Sequence, residues 1–334
     1  MLRAASVGLG WWSDELAGAI QGKSDRLRVV TCTSRSAEKR AAFARKFETR
    51  QHETYEAVLG DPEVDAVILT TPHSLHAEHV MWAAEAGKHV FVEKPFTLTA
   101  ETGRRAAAAC EARGVVLAVG HNRRFSAAAQ ALKAMWQADA FGTVLHIEAN
   151  FSAPGALSYT PEKWRANRVE SPAGALAGLG IHMIDLLCWL AGPVRRVTAQ
   201  AERRAVAVDI DDTPSALFAF DSGATGYLGS NFACPDTSVL NVYGTKANAF
   251  AAVDANGLKV QEPGGQAEPR DLAPVDTLKA ELEEFAAACA GGAPFRVSPG
   301  EAIHNVAVME AIAASAAQQS APVELAAPTL ETQT

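Results

Sequence analysis

The sequence predicts an α/β fold, with a doubly wound parallel sheet over residues 1–122 and an α+β domain over residues 123–334. The length of 334 residues indicates about two domains. The first 120 residues alternate short apolar runs with helical patterns, which is typical of βαβ units. After Phe125 the chain turns to β-rich segments separated by turn residues, which predicts an open, mostly antiparallel sheet with helices on one face.

The elements of the first domain follow in chain order. A strand over residues 4–9 precedes a helix over 14–22, and a β-rich run over 27–33 precedes a helix over 37–47. The apolar run 64–70 predicts a buried strand, which is followed by a helix over 75–86. A strand over 89–92, a helix over 100–113 and a strand over 115–119 complete the sheet, with right-handed crossovers expected throughout.

The second domain begins with a helix over residues 127–137. Turns such as Asp221-Ser222-Gly223 and Asn256-Gly257 separate its β-rich segments. These segments are residues 144–151, 194–205, 216–220, 224–231, 239–243, 249–253 and 258–261. A helix over 181–190 interrupts them, helices over 278–290 and 300–317 close the domain, and the tail 327–334 is expected to fray.

Composition and charge exclude several classes of protein. Hydrophobic residues make up 48% and charged residues 20%, which is ordinary for a globular chain. The net charge of −8 argues against a nucleic-acid partner, which requires a basic surface. No apolar run reaches about 18 residues, so no membrane span is expected. Five scattered cysteines without a C-x-x-C pair indicate reduced thiols and a cytoplasmic location.

A glycine-rich turn, Gly8-Leu9-Gly10-Trp11-Trp12-Ser13, joins the first strand to the first helix. This is the context of a dinucleotide-binding fingerprint. Its glycines permit a tight turn and a close approach of the backbone to a diphosphate at the helix N-terminus. The third glycine of the pattern is replaced by Ser13. We interpret the turn as a cofactor-binding element, and a glycine-rich turn without a ligand is the alternative.

The end of the second strand indicates which cofactor is bound. Ser34 lies 24 residues after Gly10 (34 − 10), where an NAD-binding fold usually places an acid for the ribose 2′-hydroxyl. Here no acid occurs before Glu38, and Arg35 could pair with a 2′-phosphate. The sequence therefore predicts NADP, with NAD as the alternative. The other interpretation of Arg35 is a solvated residue at a helix start.

The next two strands also end in polar motifs. The third leads into Thr70-Thr71-Pro72-His73-Ser74-Leu75-His76, at the edge that faces the ligand in open α/β sheets. The histidines at 73, 76 and 79 spread around a helix without a nearby Cys or carboxylate, so no metal site is predicted. The fourth ends in Glu93-Lys94-Pro95. Burial beside a nicotinamide would lower the pKa of Lys94 toward proton transfer, and a surface ion pair is the alternative.

Taken in order, the motifs resemble those of the Gfo/Idh/MocA family of nicotinamide-dependent oxidoreductases. They are T-P-x-x-x-H at 71–76, A-G-K-H-V-x-x-E-K-P at 86–95, N-R-R-F at 122–125, Trp164-Arg165, and G-x-H-x-x-D at 180–185. The resemblance covers residues 3–325. It implies a Rossmann domain and an α+β domain whose open sheet commonly forms the subunit interface, hence a homodimer or homotetramer.

The resemblance also implies that Lys94 transfers a proton with His182 as its partner, although His182 could instead be a packed core histidine. With the strand-end motifs, the predicted cofactor site comprises Gly8, Leu9, Gly10, Trp11, Trp12, Ser34, Arg35, Thr70, Thr71, Pro72, His76, Glu93, Lys94, Asn122, Arg123, Trp164 and Arg165. The predicted substrate site comprises Lys94, Arg123, Phe125, Trp164 and His182.

One position departs from the family pattern. Relatives often carry Asp four residues before this histidine, where the chain has Gly178, so a three-group proton relay is in doubt. The sequence thus predicts an NADP(H)-dependent dehydrogenase or reductase. It would transfer hydride to or from a secondary alcohol or carbonyl of a sugar, polyol, sugar acid or aromatic-derived diol. A non-catalytic nucleotide-sensing regulator and an NAD-dependent glycosidase are the alternatives.

Overall fold

A computed structural model describes residues 1–254 and 256–326, and within it the chain forms two compact units. The first comprises Met1–Asn122 and Asp276–Ala302, and the second comprises Arg123–Val275 and the residues from Ile303 onward. The first boundary falls at Asn122, as the sequence-based division has it. Residues 276–302, which that division assigns to the second domain, cluster with the first unit instead. The tail 327–334 lies outside the described residues.

The first unit contains a parallel sheet that has six strands over the described residues. These are β1 (Leu2–Val7), β2 (Leu27–Thr33), β3 (Arg50–Gln51), β4 (Ala66–Leu69), β5 (His89–Glu93) and β6 (Leu117–Gly120). Their order is β3-β2-β1-β4-β5-β6. The chain therefore winds to one side from β1 to β3 and to the other from β4 to β6, which confirms the predicted doubly wound fold.

Helices of the first unit are α1 (Trp11–Ile20), α2 (Ala37–Phe47), α3 (Tyr55–Leu59), α4 (His76–Glu85), α5 (Ala100–Ala112) and α8 (Thr277–Cys289). The late helix α8 belongs here because of what it buries. Its Phe285 is fully buried with its ring centroid 5.8 Å from that of Phe91 on β5. Its Glu283 accepts a hydrogen bond from Ser24 at 2.7 Å. A sequence pattern of alternating strands does not reveal such a returning helix.

The second unit is built on a sheet whose strands, over the described residues, are β7 (Val144–Ser152), β8 (Val194–Gln200), β9 (Ser215–Phe220), β10 (Thr225–Gly229), β11 (Thr237–Gly244), β12 (Asn248–Ala252), β13 (Gly257–Gln261), β14 (Glu268–Pro269) and β15 (Val323–Glu324). Their order is β14-β13-β12-β11-β7-β10-β9-β8-β15. Among the described strands of this second sheet, only β7 and β10 pair in parallel. The mostly antiparallel prediction is confirmed.

The remaining helices are α6 (Ala127–Gln137), α7 (Ile181–Ala191) and α9 (Pro299–Ala317). The predicted strand over 194–205 is wrong beyond Gln200. Residues 201–205 leave the sheet because the Asp212 carboxylate accepts backbone N–H groups from Arg204, Ala205 and Val206 at 2.7–3.2 Å. Among the helices of residues 1–254 and 256–326, none combines the length and apolar character that a membrane crossing requires.

Candidate active site

Five strand ends meet at one edge of the parallel sheet in the first unit. β1, β2, β4, β5 and β6 run in the same direction. The glycine turn, Ser34-Arg35, the Thr-Pro motif and Lys94-Pro95 follow the first four strands directly. Ligands of open α/β sheets bind at this edge, where the strand order reverses. The structure thus gathers the four predicted cofactor motifs of this unit on the edge where a ligand would bind.

The glycine turn after β1 is fixed against the turn after β4. Gly8 has φ +87°, and a Cβ built there would lie 2.8–2.9 Å from atoms of Thr70 and Thr71, so only glycine fits. The Thr70 hydroxyl donates to the carbonyls of Val7 and Gly8. Ser13, the substitute for the third glycine, is buried, accepts from the Gly10 N–H at 2.9 Å and donates to the Gly10 carbonyl at 2.7 Å. A serine hydroxyl therefore shapes the turn.

Helix α1 offers hydrogen-bond donors at this turn. The first N–H groups of a helix have no acceptor within it and carry the positive end of its dipole. Trp12 Nε1 is buried and has no acceptor within the part of the chain that the structure describes. Asp14, the acid in the first turn, is paired with Lys46 at 2.8 Å, which offsets its negative charge. These features fit an anionic diphosphate.

Two guanidinium groups stand at the end of β2. Arg35 is exposed and has no ion pair within the described residues. Arg40, one turn into α2, donates from Nη1 to the Ser34 carbonyl at 2.7 Å. Ser36 caps α2 by accepting the Lys39 N–H. Sequence reasoning missed Arg40. Its spacing of four residues from the cap Ser36 would have placed both on one helix face.

A histidine links the turns after β4 and β5. His76 is fully buried, and its two ring nitrogens lie 2.9 Å from the carbonyl oxygens of Pro95 and Thr71. The next histidine, His79, lies with Nδ1 3.4 Å from the Thr71 hydroxyl. Burial, with a smaller effect of His76, lowers the pKa of His79 to about 4. These histidines hold the Thr-Pro turn in place. The described residues contain no group of three or more His, Cys, Asp or Glu suited to a metal ion.

The predicted proton-transfer lysine follows β5. Lys94 is half-buried, and its backbone N–H donates to the Glu93 carboxylate at 3.3 Å. Glu93 is 6% exposed. Gly120 at the end of β6 leaves room for it, since a Cβ built there would lie 2.9 Å from Glu93 Oε1. The sheet thus buries the carboxylate of the residue that precedes the lysine.

Asn122 ends the first segment of this unit beside α8. Its amide donates to the Thr277 hydroxyl at 3.2 Å. Its Oδ1 is buried and has no donor within the described residues. A buried amide oxygen without a partner is costly, so this atom marks a place where a bound molecule would supply a donor. A ribose hydroxyl is such a donor, and Asn122 is one of the predicted cofactor residues.

In the second unit, α7 carries His182, which is 4% exposed. A fully buried bidentate ion pair anchors this helix. Arg124 donates from Nε and Nη2 to the two oxygens of Asp185 at 2.8 and 2.7 Å, and Asn305 donates to the same carboxylate at 2.7 Å. The ion pair links the N-R-R-F motif, which contains Arg123, to the G-x-H-x-x-D motif, which contains His182. The role of Asp185 is structural.

Arg123 and His182 lie against the same aromatic ring. The Arg123 guanidinium lies 4.2 Å from the ring centroid of Phe151 on β7, and the His182 ring packs edge-on to Phe151 at 5.9 Å. Arg123 also donates to Asp254 at 2.9 Å. Sequence reasoning missed Phe151 and Asp254, because only the sheet brings residues so distant in sequence together.

The segment before α7 explains the departure at Gly178. A π-helical turn, Leu176–Gly180, leads into the helix, after Ala173 and Gly174 adopt positive φ of 49° and 57°. A Cβ built at Gly178 would lie 3.2 Å from Cζ of Phe232, which is 6% exposed. A side chain at position 178 would therefore press on the Phe232 ring, and the glycine itself supplies no carboxylate.

The other predicted residues of the second unit differ in exposure. Trp164 and Arg165 are half-buried, and the guanidinium lies 4.0 Å from a ring centroid of the indole. Phe125 is 4% exposed, so its ring packs in the interior of the unit. Trp164 and Arg165 are thus partly accessible to solvent, whereas Phe125 packs mainly against protein.

Family models match both parts of the chain. The model of the GFO/IDH/MocA oxidoreductase family with an NAD-binding Rossmann fold matches residues 2–121. The model of the GFO/IDH/MocA C-terminal domain matches residues 129–250.

Individual relatives and a solved structure are also similar. The NADP(+)-dependent scyllo-inositol 2-dehydrogenase of Bacillus subtilis is 36% identical over 43% of this chain, a match that spans only 39% of that enzyme. An NADP(+)-dependent D-xylose 1-dehydrogenase of Haloferax volcanii is 29% identical over 81% of this chain and 84% of its own length. A structure from Desulfitobacterium hafniense, provisionally assigned as an NADPH-dependent oxidoreductase, is 33% identical over 97% of both chains with a TM-score of 0.91.

Proposed function

Because the chain belongs to the Gfo/Idh/MocA family of oxidoreductases, we propose that it is an NADP(H)-dependent dehydrogenase or reductase of a sugar or polyol. The observation that carries the proposal is the position of Lys94. It directly follows the buried Glu93 at the end of β5, on the sheet edge that also holds the glycine turn. The similar inositol and xylose dehydrogenases support both the substrate class and the cofactor.

The residues of the first unit suit a nicotinamide dinucleotide. The Gly8–Ser13 turn and the start of α1 would hold its diphosphate, since they supply a close backbone approach and N–H donors. The buried Asn122 Oδ1 and Trp12 Nε1 would gain partners from it. When bound, the nicotinamide would supply the hydride acceptor or donor for oxidation of an alcohol or reduction of a carbonyl.

A preference for NADP(H) is supported by the end of β2. Arg35 and Arg40 provide two guanidinium groups there, and Ser34 stands where a carboxylate would repel a 2′-phosphate. The first acid of this segment, Glu38, lies exposed in α2.

Lys94 and His182 are the proposed proton-transfer groups. Lys94 would take the proton of the substrate hydroxyl on oxidation and return it on reduction, with His182 as its partner. The carboxylate next to the lysine in sequence, Glu93, accepts the backbone N–H of Lys94 at 3.3 Å. Because Gly178 carries no carboxylate, the proposed relay would consist of two groups rather than three.

A spectrophotometric screen tests the proposed function. NADP⁺ and NAD⁺ are each offered with sugars, polyols, sugar acids and aromatic dihydrodiols, and reduction of the nicotinamide is followed by absorbance. The proposal expects reduction with at least one sugar or polyol, faster with NADP⁺ than with NAD⁺ at low cofactor concentration. Nucleotide binding without turnover across the panel would instead favour a regulatory protein. Sugar release without net redox change would favour a glycosidase.

The open face of the second sheet is the proposed subunit interface, in a homodimer or homotetramer. Leu217 on β9 is 59% exposed and stands beside Tyr227, which pairs with it across the ladder. Asn241 and Tyr243 on β11 both donate to Glu148 on the same face, at 2.8 and 2.6 Å. A cytoplasmic location is proposed from the odd, scattered set of cysteines.

A further inference from the structure

Arg123 packs against the same aromatic ring as the proposed proton-transfer histidine, and only part of its hydrogen-bonding capacity is used by the protein. Its side chain is 14% exposed and stacks on Phe151, the ring that also packs against His182. A guanidinium has five N–H donors. Nη2 donates to Asp254 Oδ2 at 2.9 Å, while Nε is buried and has no acceptor within the described residues. The buried Nε–H of Arg123 therefore lacks an oxygen acceptor within the described residues.

The neighbouring Arg124 forms a complete bidentate ion pair, which serves as a comparison. Arg124 uses the same edge of its guanidinium, Nε and Nη2, to hold both oxygens of Asp185. Asp254 instead contacts Arg123 through Nη2 alone, and its side chain is 44% exposed. The Nε–Nη2 edge of Arg123 is thus half-occupied by a carboxylate that belongs to the protein.

This arrangement favours one charge class of ligand. Asp254 cancels the charge of Arg123 and takes the Nη2 donor, so a carboxylate on the substrate would compete for that edge and meet a second negative charge. An uncharged hydroxyl or carbonyl oxygen can accept from Nε without displacing Asp254. On the basis of the proposed function, we propose that Asp254 is a specificity-determining residue that makes the enzyme select uncharged sugars or polyols over sugar acids.

The substitution Asp254→Asn tests this, because it removes the charge and keeps the shape. The ratio of kcat/KM for a hexose to that for the matching hexuronate is measured in both proteins. The ratio is expected to shift toward the uronate by about tenfold, which corresponds to about 1.4 kcal/mol. Asp271→Asn, at an exposed position of the same unit, is the matched control and is expected to leave the ratio unchanged.

A second background shows whether Asp254 acts through Arg123. In an Arg123→Gln protein, Asp254→Asn is expected to change the ratio less than twofold, since the pair no longer exists. An unchanged ratio in the Asp254→Asn single variant overturns the proposal. So does an equal shift in both backgrounds, or a tenfold change in NADPH affinity in place of the substrate ratio, which would assign the pair to the cofactor.

The role of Asp254 can also be tested if the protein lacks the proposed dehydrogenase activity. Binding of the same hexose and hexuronate is then measured by calorimetry in wild type and Asp254→Asn, with NADP⁺ present. A tenfold shift of the two dissociation constants toward the uronate supports the role of Asp254 even though the dehydrogenase proposal has failed. Equal ratios in the two proteins refute the role of Asp254.

Discussion

Arg35 and Arg40 put two positive groups within the first turns that follow β2, where a single carboxylate would suffice to favour NAD. The exposed Arg35 has no ion pair within the described part of the chain, whereas Arg40 is held by the Ser34 carbonyl. Arg35 is thus the more adaptable of the two, and Arg40 has a fixed position. The proposed preference for NADP(H) would therefore depend mainly on the side chain of Arg35.

The variant Arg35→Ala is expected to weaken NADPH binding by about tenfold, because one charge-assisted hydrogen bond to a phosphate is lost. NADH binding should change less than twofold, since NADH has no 2′-phosphate. Fluorescence titration with both cofactors measures this. Arg45→Ala, an exposed position later in α2, is the matched control and should alter neither affinity. An equal loss for both cofactors in Arg35→Ala would contradict the assignment.

The segment that leads into α7 places Gly178 in apolar surroundings. The π-helical turn at Leu176–Gly180 brings Gly178 against Phe232, whose ring packs edge-on to Tyr159 at 5.5 Å. Phe232 also lies in a buried cluster with Ala156 and Ile210, so the ring has little room to retreat. Glycine at 178 is therefore a packing requirement of this element.

The substitution Gly178→Ala tests whether the packing at this position requires glycine. Gly178→Ala is expected to lower the free energy of unfolding by about 1 kcal/mol, since the added methyl overpacks the contact with Phe232. The matched control, Gly18→Ala in α1, is expected to raise it by about 0.5–1 kcal/mol, because its Cβ meets nothing within 4 Å. Denaturant unfolding compares the two. A stabilised Gly178→Ala protein would show that Phe232 moves aside freely.

The elements also show which features a sequence can predict. Most strands of the parallel sheet have local signals, since apolar runs end in glycine, Thr-Pro or Glu-Lys-Pro, and these strands lie within two residues of their predicted bounds. The two-residue edge strand β3 has no such run and is not predicted from the sequence. The association of α8 with the first unit and the contact of Phe151 with Arg123 depend on tertiary packing across more than 25 residues. The strand predicted over 194–205 ends early for a more local reason, because the Asp212 carboxylate accepts the backbone N–H groups of Arg204 and Ala205.

For the whole molecule, the open face of the second sheet determines the proposed assembly. Leu217→Arg places a charge at its most exposed large apolar position and is expected to dissociate the oligomer, because burying an unpaired charge costs several kcal/mol. Analytical ultracentrifugation measures the mass. Val169→Arg adds the same charge at a position 72% exposed and outside the sheet, so it should leave the mass unchanged. Wild-type protein that sediments as a monomer would refute this interface.

The central claim, hydride transfer with Lys94 as the proton-transfer group, is tested most directly by the turnover of Lys94→Ala with the best substrate of the screen. Turnover is expected to fall at least about 10²-fold while the NADPH dissociation constant stays within about threefold of wild type. Lys23→Ala, a surface lysine that donates only to the Gly18 carbonyl, is the control. Near-normal turnover in Lys94→Ala would contradict the account.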